Sequence, residues 1–223
     1  MNTAGSPIDH TASREELCRR IDDELARLGD IHVSSWMMAE APPEVEPDDG
    51  RPLASEVELD AALGGVFWRA REGLERVNCF HVIGPEGTLV AVLQPGAGPL
   101  YARARVARDD LAALTLHRRP VAAGTAPHGY RQTSFQAVLW RFALFGLDGM
   151  HALPNHYRQL PLRLRQLPPL DRGLVAGRHF KLMHLLLESG RTFTELQENT
   201  GLSDAQLSRD LAALRLVGSL TVA

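Results

Sequence analysis

The stretch FTELQENTGLSDAQLSRDLAALRLVGSL, residues 193–220, carries the strongest fold signal in this sequence. A short amphipathic segment, with Thr194 as its predicted N-cap, runs up to Gly201. Glycine adopts the positive φ of a tight turn at little cost. Ser203 begins the next segment and Gln206 follows three residues later, which is the pattern of a helix capping box. The stretch therefore predicts two helices joined by a tight turn.

A longer helix is predicted immediately before this stretch. Phe180, Met183, His184 and Leu187 fall at i, i+3, i+4 and i+7, which is the spacing of one buried helix face. Gly190 ends the run, since glycine commonly follows a helix C-terminus. The chain from residue 178 onward is thus predicted to contain three consecutive helices.

The third of these helices is predicted to bury a leucine stripe. Leu207, Leu211 and Leu214 recur at helical spacing, and Gly218 ends the helix. The residues after it, SLTV at 219–222, are predicted to form the first strand of a wing. A helix-turn-helix unit followed by one wing strand is the expected outcome.

These residues resemble the winged-helix core of bacterial transcription regulators of the ArsR and MarR kind. The shared features are a capped short helix, a Gly-apolar-Ser turn, a Ser-x-x-Leu third helix and a Leu-x-x-x-Gly ending. The matching positions are Leu196, Gly201, Leu202, Ser203, Leu207, Ser208, Leu211, Leu214 and Gly218. The resemblance covers residues 178–223 only, and it implies that the third helix enters the major groove of DNA.

The resemblance also names candidate DNA contacts. Gln206 is suited to adenine and Arg209 to guanine, while Ser208 is suited to a base or a phosphate. Arg215 and Lys181 are candidates for the phosphate backbone. The positions of the third helix expected to face outward are Asp204, Ala205, Gln206, Ser208, Arg209, Ala212 and Arg215.

A protein partner is the alternative to DNA. Asp204 and Asp210 would repel phosphates, and a winged helix serves equally as a protein-docking surface. A basic surface around Arg209 and Arg215 would favour DNA. Burial of the third helix against the rest of the chain, or an exposed apolar patch, would favour a protein partner.

The chain before residue 150 predicts an α+β domain built on a small antiparallel sheet. Its clearest signal is a β-hairpin, in which CFHVI (79–83) and TLVAVLQ (88–94) flank a Gly/Pro turn. Residues 118–133 are expected to be irregular. The other predicted elements are helices at 13–28, 56–76, 109–116 and 135–147 and strands at 31–39 and 100–106.

This organisation predicts an α+β fold in four parts. They are a flexible lead (1–12), a sensor-like or dimerisation domain (13–150), a connector rich in proline and arginine (151–177), and the winged helix-turn-helix domain (178–223). The element order of the second part is similar to that of PAS, GAF and roadblock-type sensor domains. Prolines at the density seen in the third part break any long helix, which is why a connector is expected there.

Composition and cysteine spacing exclude several classes of protein. Cys18 and Cys79 lie far apart without CxxC spacing, so neither a disulfide framework nor a zinc site is expected. No stretch approaches the roughly 18 consecutive apolar residues of a membrane span, and the N-terminus lacks the apolar region of a secretory signal. The expected location is the cytoplasm, with no membrane contact.

A second candidate site lies in the predicted sheet. Arg103 and Arg105 alternate along one strand and, with Arg118 and Arg119, suggest a cationic patch for a phosphate-bearing ligand. The alternative is an ordinary solvated sheet face. The sequence contains no GxSxG, HExxH or P-loop motif, so neither an enzyme nor a cofactor or metal site is expected.

The predicted function is that of a cytoplasmic bacterial regulatory protein, acting as a homodimer. Its winged helix binds DNA under the control of the N-terminal domain, which is also the candidate for a small-molecule ligand. The alternative is a signalling adaptor whose winged helix docks a protein partner.

Overall fold

The computed structural model describes residues 51–71, 74, 79–93, 99–119, 129–146 and 148–223. The predicted flexible lead, the helix at 13–28 and the strand at 31–39 lie outside these residues. Within them, the chain is an α+β structure with a five-stranded antiparallel sheet, in agreement with the coarse α+β class that was predicted.

The sheet has the strand order β4-β1-β2-β3-β5, and every neighbouring pair is antiparallel. The strands are β1 (Cys79–Ile83), β2 (Leu89–Leu93), β3 (Pro99–Arg103), β4 (Thr115–Arg119) and β5 (Tyr130–Ser134). The predicted β1–β2 hairpin is confirmed: a 3-10 turn over Pro85–Gly87 joins the two strands, and Gly87 has a φ of 76°.

Both edge strands of the sheet were missed by the sequence prediction. Residues 118–133 were expected to be irregular, yet β4 and β5 extend into this range. The helix expected at 109–116 is a 3-10 helix over Arg108–Ala113, and β4 follows it. The two strands have the sequences TLHRR and YRQTS, in which polar residues dominate as is common at sheet edges. They therefore lack the apolar alternation that marks a half-buried strand.

Helices α1 (Glu56–Arg69) and α2 (Phe135–Phe145) pack against each other beside the sheet. Ser55 caps α1 in a capping box with Glu58, and the helix ends at Arg69, earlier than predicted. The Ser134 hydroxyl caps α2. The core between these helices and the sheet contains Leu63, Phe67, Val82, Leu93, Leu100, Ala102 and Val138.

The two helices approach most closely at Gly64. A Cβ atom added there would lie 2.7 Å from the Val138 carbonyl oxygen and would collide with Cβ of Phe142. At the neighbouring Gly65, an added Cβ would lie 3.4 Å from the Phe142 ring, an ordinary packing distance. The first glycine is therefore required by packing, and the second is not.

We expect alanine at these two adjacent positions to have opposite effects on stability. Alanine normally stabilises a helix interior by up to about 1 kcal/mol over glycine. Gly65→Ala should retain that gain, whereas Gly64→Ala should cost about 1–3 kcal/mol because the helices must separate. Urea denaturation followed by circular dichroism measures both. Equal effects at the two positions would show that the helices are not in close contact at Gly64.

A buried carboxylate joins α1 to β5 and α2. Asp60 is fully buried and accepts hydrogen bonds from Arg131 on one oxygen and from Arg141, at 2.6 Å, on the other. Arg141 also donates to Glu56 at 2.6 Å, and this hydrogen bond is the main reason why the pKa of Glu56 lies below its ordinary value. A depressed pKa stabilises the fold at neutral pH, and the contribution is lost as the pH falls through the folded-state value.

The C-terminal part, here called the three-helix unit, comprises α3 (Gly177–Glu188), α4 (Phe193–Thr200) and α5 (Asp204–Leu216). The predicted capping box of Ser203 with Gln206 is confirmed, and so is the left-handed turn at Gly201, whose φ is 71°. The N-cap of α4 is Thr192 rather than Thr194. Thr192 is the cap because it forms a reciprocal capping box with Glu195.

The buried face of α3 also differs from the prediction. Its buried residues are His179, Leu182, Met183, Leu186 and Leu187. Phe180 and His184, which were expected to be buried, are only half-buried. The stripe shifts because α3 packs against strand β6 as well as α4, and this strand was not predicted.

Residues 151–177 are part of the packed fold rather than a free connector. Strand β6 (Leu162–Leu164) lies within this range and pairs antiparallel with β7 (Leu220–Val222). Leu162 and Leu164 are buried in the core of the three-helix unit. The prolines interrupt helices here, as predicted, but the short extended and 3-10 segments between them are packed within the fold. The predicted wing strand therefore has β6 as its partner.

Helix α2 belongs to both halves of the molecule. Its Val138 contributes to the core beside the sheet, whereas Trp140, Phe142 and Ala143 belong to the core of the three-helix unit. The Trp140 indole donates a hydrogen bond to the Leu174 carbonyl at 3.1 Å. The sheet and the three-helix unit are consequently joined by a shared helix rather than by a linker.

Candidate functional site

Helix α5, the predicted DNA-reading helix, packs against α2. Two of its positions that were expected to face outward, Ser208 and Ala212, are fully buried. Asp210 is also buried, together with the predicted stripe of Leu207, Leu211 and Leu214. Because α2 covers one face and the rest of the unit covers another, only the first turn of α5 is fully exposed.

Arg209, the candidate for guanine recognition, binds the end of α2. One guanidinium nitrogen donates to the Leu144 carbonyl at 3.0 Å and to the Gly146 carbonyl at 2.9 Å. These carbonyls lie at the helix C-terminus, where backbone acceptors lack helical partners and the macrodipole favours a cation. The side chain therefore serves as a cap that holds α2 and α5 together.

Arg215, a candidate for phosphate contact, is likewise engaged within the fold. It donates to the Ala152 carbonyl at 2.9 Å. Its guanidinium carbon lies 5.7 Å from the centre of the Trp68 ring and 5.6 Å from that of Tyr157. Cation–π contacts at these distances are favourable. Both arginines that were expected to face DNA thus bind groups of their own chain.

Arg158, from the predicted connector, holds the start of α5. It donates to the Ser208 hydroxyl at 2.5 Å and to the Asp204 carboxylate at 2.7 Å. Its guanidinium also lies 4.7 Å from the centre of the Phe193 ring. The hydroxyl of Ser208 is therefore occupied inside the structure, and Asp204 has a counter-ion that sequence reasoning did not identify.

Gln206 and Lys181 remain exposed. The amide oxygen of Gln206 accepts from the backbone and the hydroxyl of Ser203, at 3.3 and 3.1 Å. The neighbouring exposed residues of α4 include Glu195 and Glu198. The Glu195 carboxylate is charged at neutral pH, and hydrogen bonding to the Thr192 backbone moves its pKa further below the ordinary value. Such a surface attracts phosphate backbones poorly.

A buried polar cluster connects α3 to α5. Asp210 is 1% exposed and accepts from Arg178 at 3.1 Å and from Nε2 of His179 at 3.3 Å. Nδ1 of His179 accepts from the Ala176 backbone at 3.0 Å, which leaves the proton on Nε2 for donation to Asp210. The ring of Trp140 meets that of His179 edge-on at 5.0 Å. An acidic residue beside a leucine stripe was the only sequence signal of this cluster.

The four arginines of the predicted cationic patch are not brought together. Arg103 ends β3, whereas Arg118 and Arg119 end β4, and strands β1 and β2 lie between. At about 4.8 Å per strand, the two groups lie roughly 14 Å apart across the sheet. The register separates them along the strands too, since Arg118 is level with Leu100 rather than with Arg103. Only Arg103 and Arg105 share a site, a cavity beside Tyr130.

Among the described residues, no group of three or more His, Cys, Asp or Glu side chains is placed to hold a metal ion. In the same part of the chain, no helix has both the length and the apolar character needed to cross a membrane. Nδ1 of His184 lies 3.6 Å from the Glu188 carboxylate, which is the surface contact expected from their spacing.

Comparisons of the chain with protein-family models, with curated proteins and with solved structures give no match.

Proposed function

We propose that this protein is a regulatory adaptor whose three-helix unit, a helix-turn-helix in its topology, docks a protein partner. The observation that carries the proposal is the engagement of α5 by its own chain. Arg209 and Arg215 bind backbone carbonyls, and Ser208 is buried against Arg158. Because these side chains bind groups of their own chain, α5 presents few groups to base edges. The surface of a helix-turn-helix can instead serve as a docking site for a protein.

An exposed aromatic side chain marks the docking surface. Phe145 is 59% exposed, the largest exposed fraction among the large apolar residues that the structure describes. It lies between Leu144 and Gly146, whose carbonyls bind Arg209, so it borders α5. Ala205 is exposed one helical turn before Arg209. Aromatic side chains, phenylalanine among them, are enriched in the cores of protein interfaces.

The first test is DNA binding by the intact chain. Fluorescence anisotropy with mixed genomic DNA fragments is measured at low and at high salt, for the wild type and for Lys181→Glu. We expect no salt-sensitive binding, because the exposed residues of the first turn of α5 and of the adjacent α4 include acidic side chains and no basic one. Salt-sensitive binding by the wild type that Lys181→Glu weakens would overturn the proposal in favour of DNA.

The second test locates the partner. A photo-crosslinking phenylalanine analogue replaces Phe145 in one sample and Val57, an exposed apolar residue on α1, in a control. We expect one protein to be crosslinked from position 145 alone. The purified partner should then bind the wild type more than tenfold tighter than Phe145→Ala, as for a central interface anchor. A crosslink to a second copy of this chain would identify a homodimer. Identical crosslinking from both positions would contradict the assigned surface.

A further inference from the structure

A cavity of about 550 Å³ opens at one end of the sheet. Its walls come from the start of β2, from the end of β3 with the residues after it, and from the start of β5. The seven described residues that line it are Thr88, Leu89, Arg103, Ala104, Arg105, Gly129 and Tyr130. The volume falls within the range of roughly 300–1,000 Å³ that is typical of small-molecule sites.

The lining is cationic. Two of the seven residues are arginines and none of the seven is acidic. Arg103 is exposed, and within the described residues it forms no hydrogen bond or ion pair. Its guanidinium therefore offers its donors to a ligand. Arginine donors match the oxygens of phosphate groups in two-pronged geometry, so Arg103 in a cavity with a second positive charge favours a ligand with phosphates over a neutral one.

One wall of the cavity is a fixed aromatic ring. Tyr130 is paired directly with Arg103 across the β3–β5 ladder, so the two side chains lie on the same sheet face. The phenol donates to the Leu89 carbonyl at 2.6 Å, which holds the ring in place across the intervening strand. The phenol is protonated at neutral pH, and burial moves its pKa further above the ordinary value. A ring held in this way offers a face on which a planar base stacks.

We propose that this cavity binds a nucleoside diphosphate, with the phosphates on Arg103, near the second positive charge of Arg105, and the base on Tyr130. The proposal stands on strands β2, β3 and β5 and does not depend on what the three-helix unit binds. It assigns a ligand-sensing role to the sheet, which α2 connects directly to the three-helix unit.

Isothermal titration calorimetry of the full chain with ADP and GDP tests the site. We expect at least one of the two to bind, and adenosine or guanosine and inorganic pyrophosphate to bind at least tenfold more weakly. Arg103→Ala should lower the affinity about tenfold or more, since a hydrogen bond to a charged group is lost. The control is Arg163→Ala, which removes an exposed arginine on β6 and should leave the affinity unchanged.

Three results would overturn the proposal. One is the absence of binding at millimolar ADP and GDP. Another is equal affinity of the wild type and Arg103→Ala, with the fold of the variant verified by an unchanged thermal midpoint. The third is equal affinity for pyrophosphate and the nucleotides, which would remove the role of Tyr130. The tests of DNA and protein binding above are independent of all three.

Discussion

Replacing Asp60 with alanine is expected to lower the free energy of unfolding by about 3–5 kcal/mol. Asp60 is fully buried, and its partners Arg131 and Arg141 are only 23% and 15% exposed. Removing the carboxylate leaves two mostly buried guanidinium groups with the half-exposed Glu56 as their remaining acidic partner. Urea denaturation followed by tryptophan fluorescence measures the loss.

Two further variants separate this network from ordinary surface charge. Asp60→Asn keeps the shape and one acceptor oxygen, so its loss should be smaller than that of Asp60→Ala. Asp110→Ala removes an ion pair with Arg51, whose side chain is 50% exposed, and should cost at most about 1 kcal/mol. If Asp60→Ala costs no more than Asp110→Ala, the buried network does not hold α1 to α2 and β5.

The second large effect is expected at Asp210, on helix α5. Its removal leaves the Nε2 proton of His179 buried without an acceptor, since the His179 side chain is only 2% exposed. The Arg178 side chain is 48% exposed, so water can hydrate its guanidinium when the carboxylate is removed. We expect Asp210→Ala to cost about 3 kcal/mol, near the lower limit for breaking a buried pair. Near-ultraviolet circular dichroism should also change, because Trp140 packs on His179.

A double variant tests the cause of that loss. His179→Phe in the Asp210→Ala background removes the unpaired donor and keeps an aromatic ring beside Trp140, so it should recover part of the stability, less the contribution of the Ala176 hydrogen bond to Nδ1 that it also removes. Glu188→Ala serves as the control, because its contacts with His184 and Arg191 lie at the surface. A double variant that is no more stable than Asp210→Ala would show that the unpaired donor costs no more than the lost Ala176 hydrogen bond.

Both predictions concern residues whose importance the sequence did not reveal. Asp210 was interpreted as a residue that repels phosphates, and its burial reverses that interpretation. Asp60 lies at a helical position with no distinguishing motif, and its partners are 71 and 81 residues away. Charge pairing over such distances depends on how the elements pack, and a single sequence carries no periodic signal for it.

Several local features of the chain follow from its sequence alone. These are the Ser203–Gln206 capping box, the turn at Gly201, the β1–β2 hairpin and helix α2. Each depends on residues within a few positions of one another, because helix caps, tight turns and hairpins are made by near neighbours. The N-cap of α4 shows the limit of this reasoning. Thr194 was predicted as the cap, but Thr192 is the cap because it forms a capping box with Glu195.

Which faces of these elements are covered depends on how the elements pack against one another. Periodicity identified a leucine stripe on α5, but it gave no sign that α2 covers a second face and binds Arg209 across 65 residues. The same holds for β6, whose partner β7 lies at the opposite end of the C-terminal part. Hydrophobic burial is non-directional, so a local pattern shows that a face is apolar without showing what packs on it. The expectation of DNA binding rested on the outward face of α5. Which residues lie on that face depends on the packing of α2 against α5.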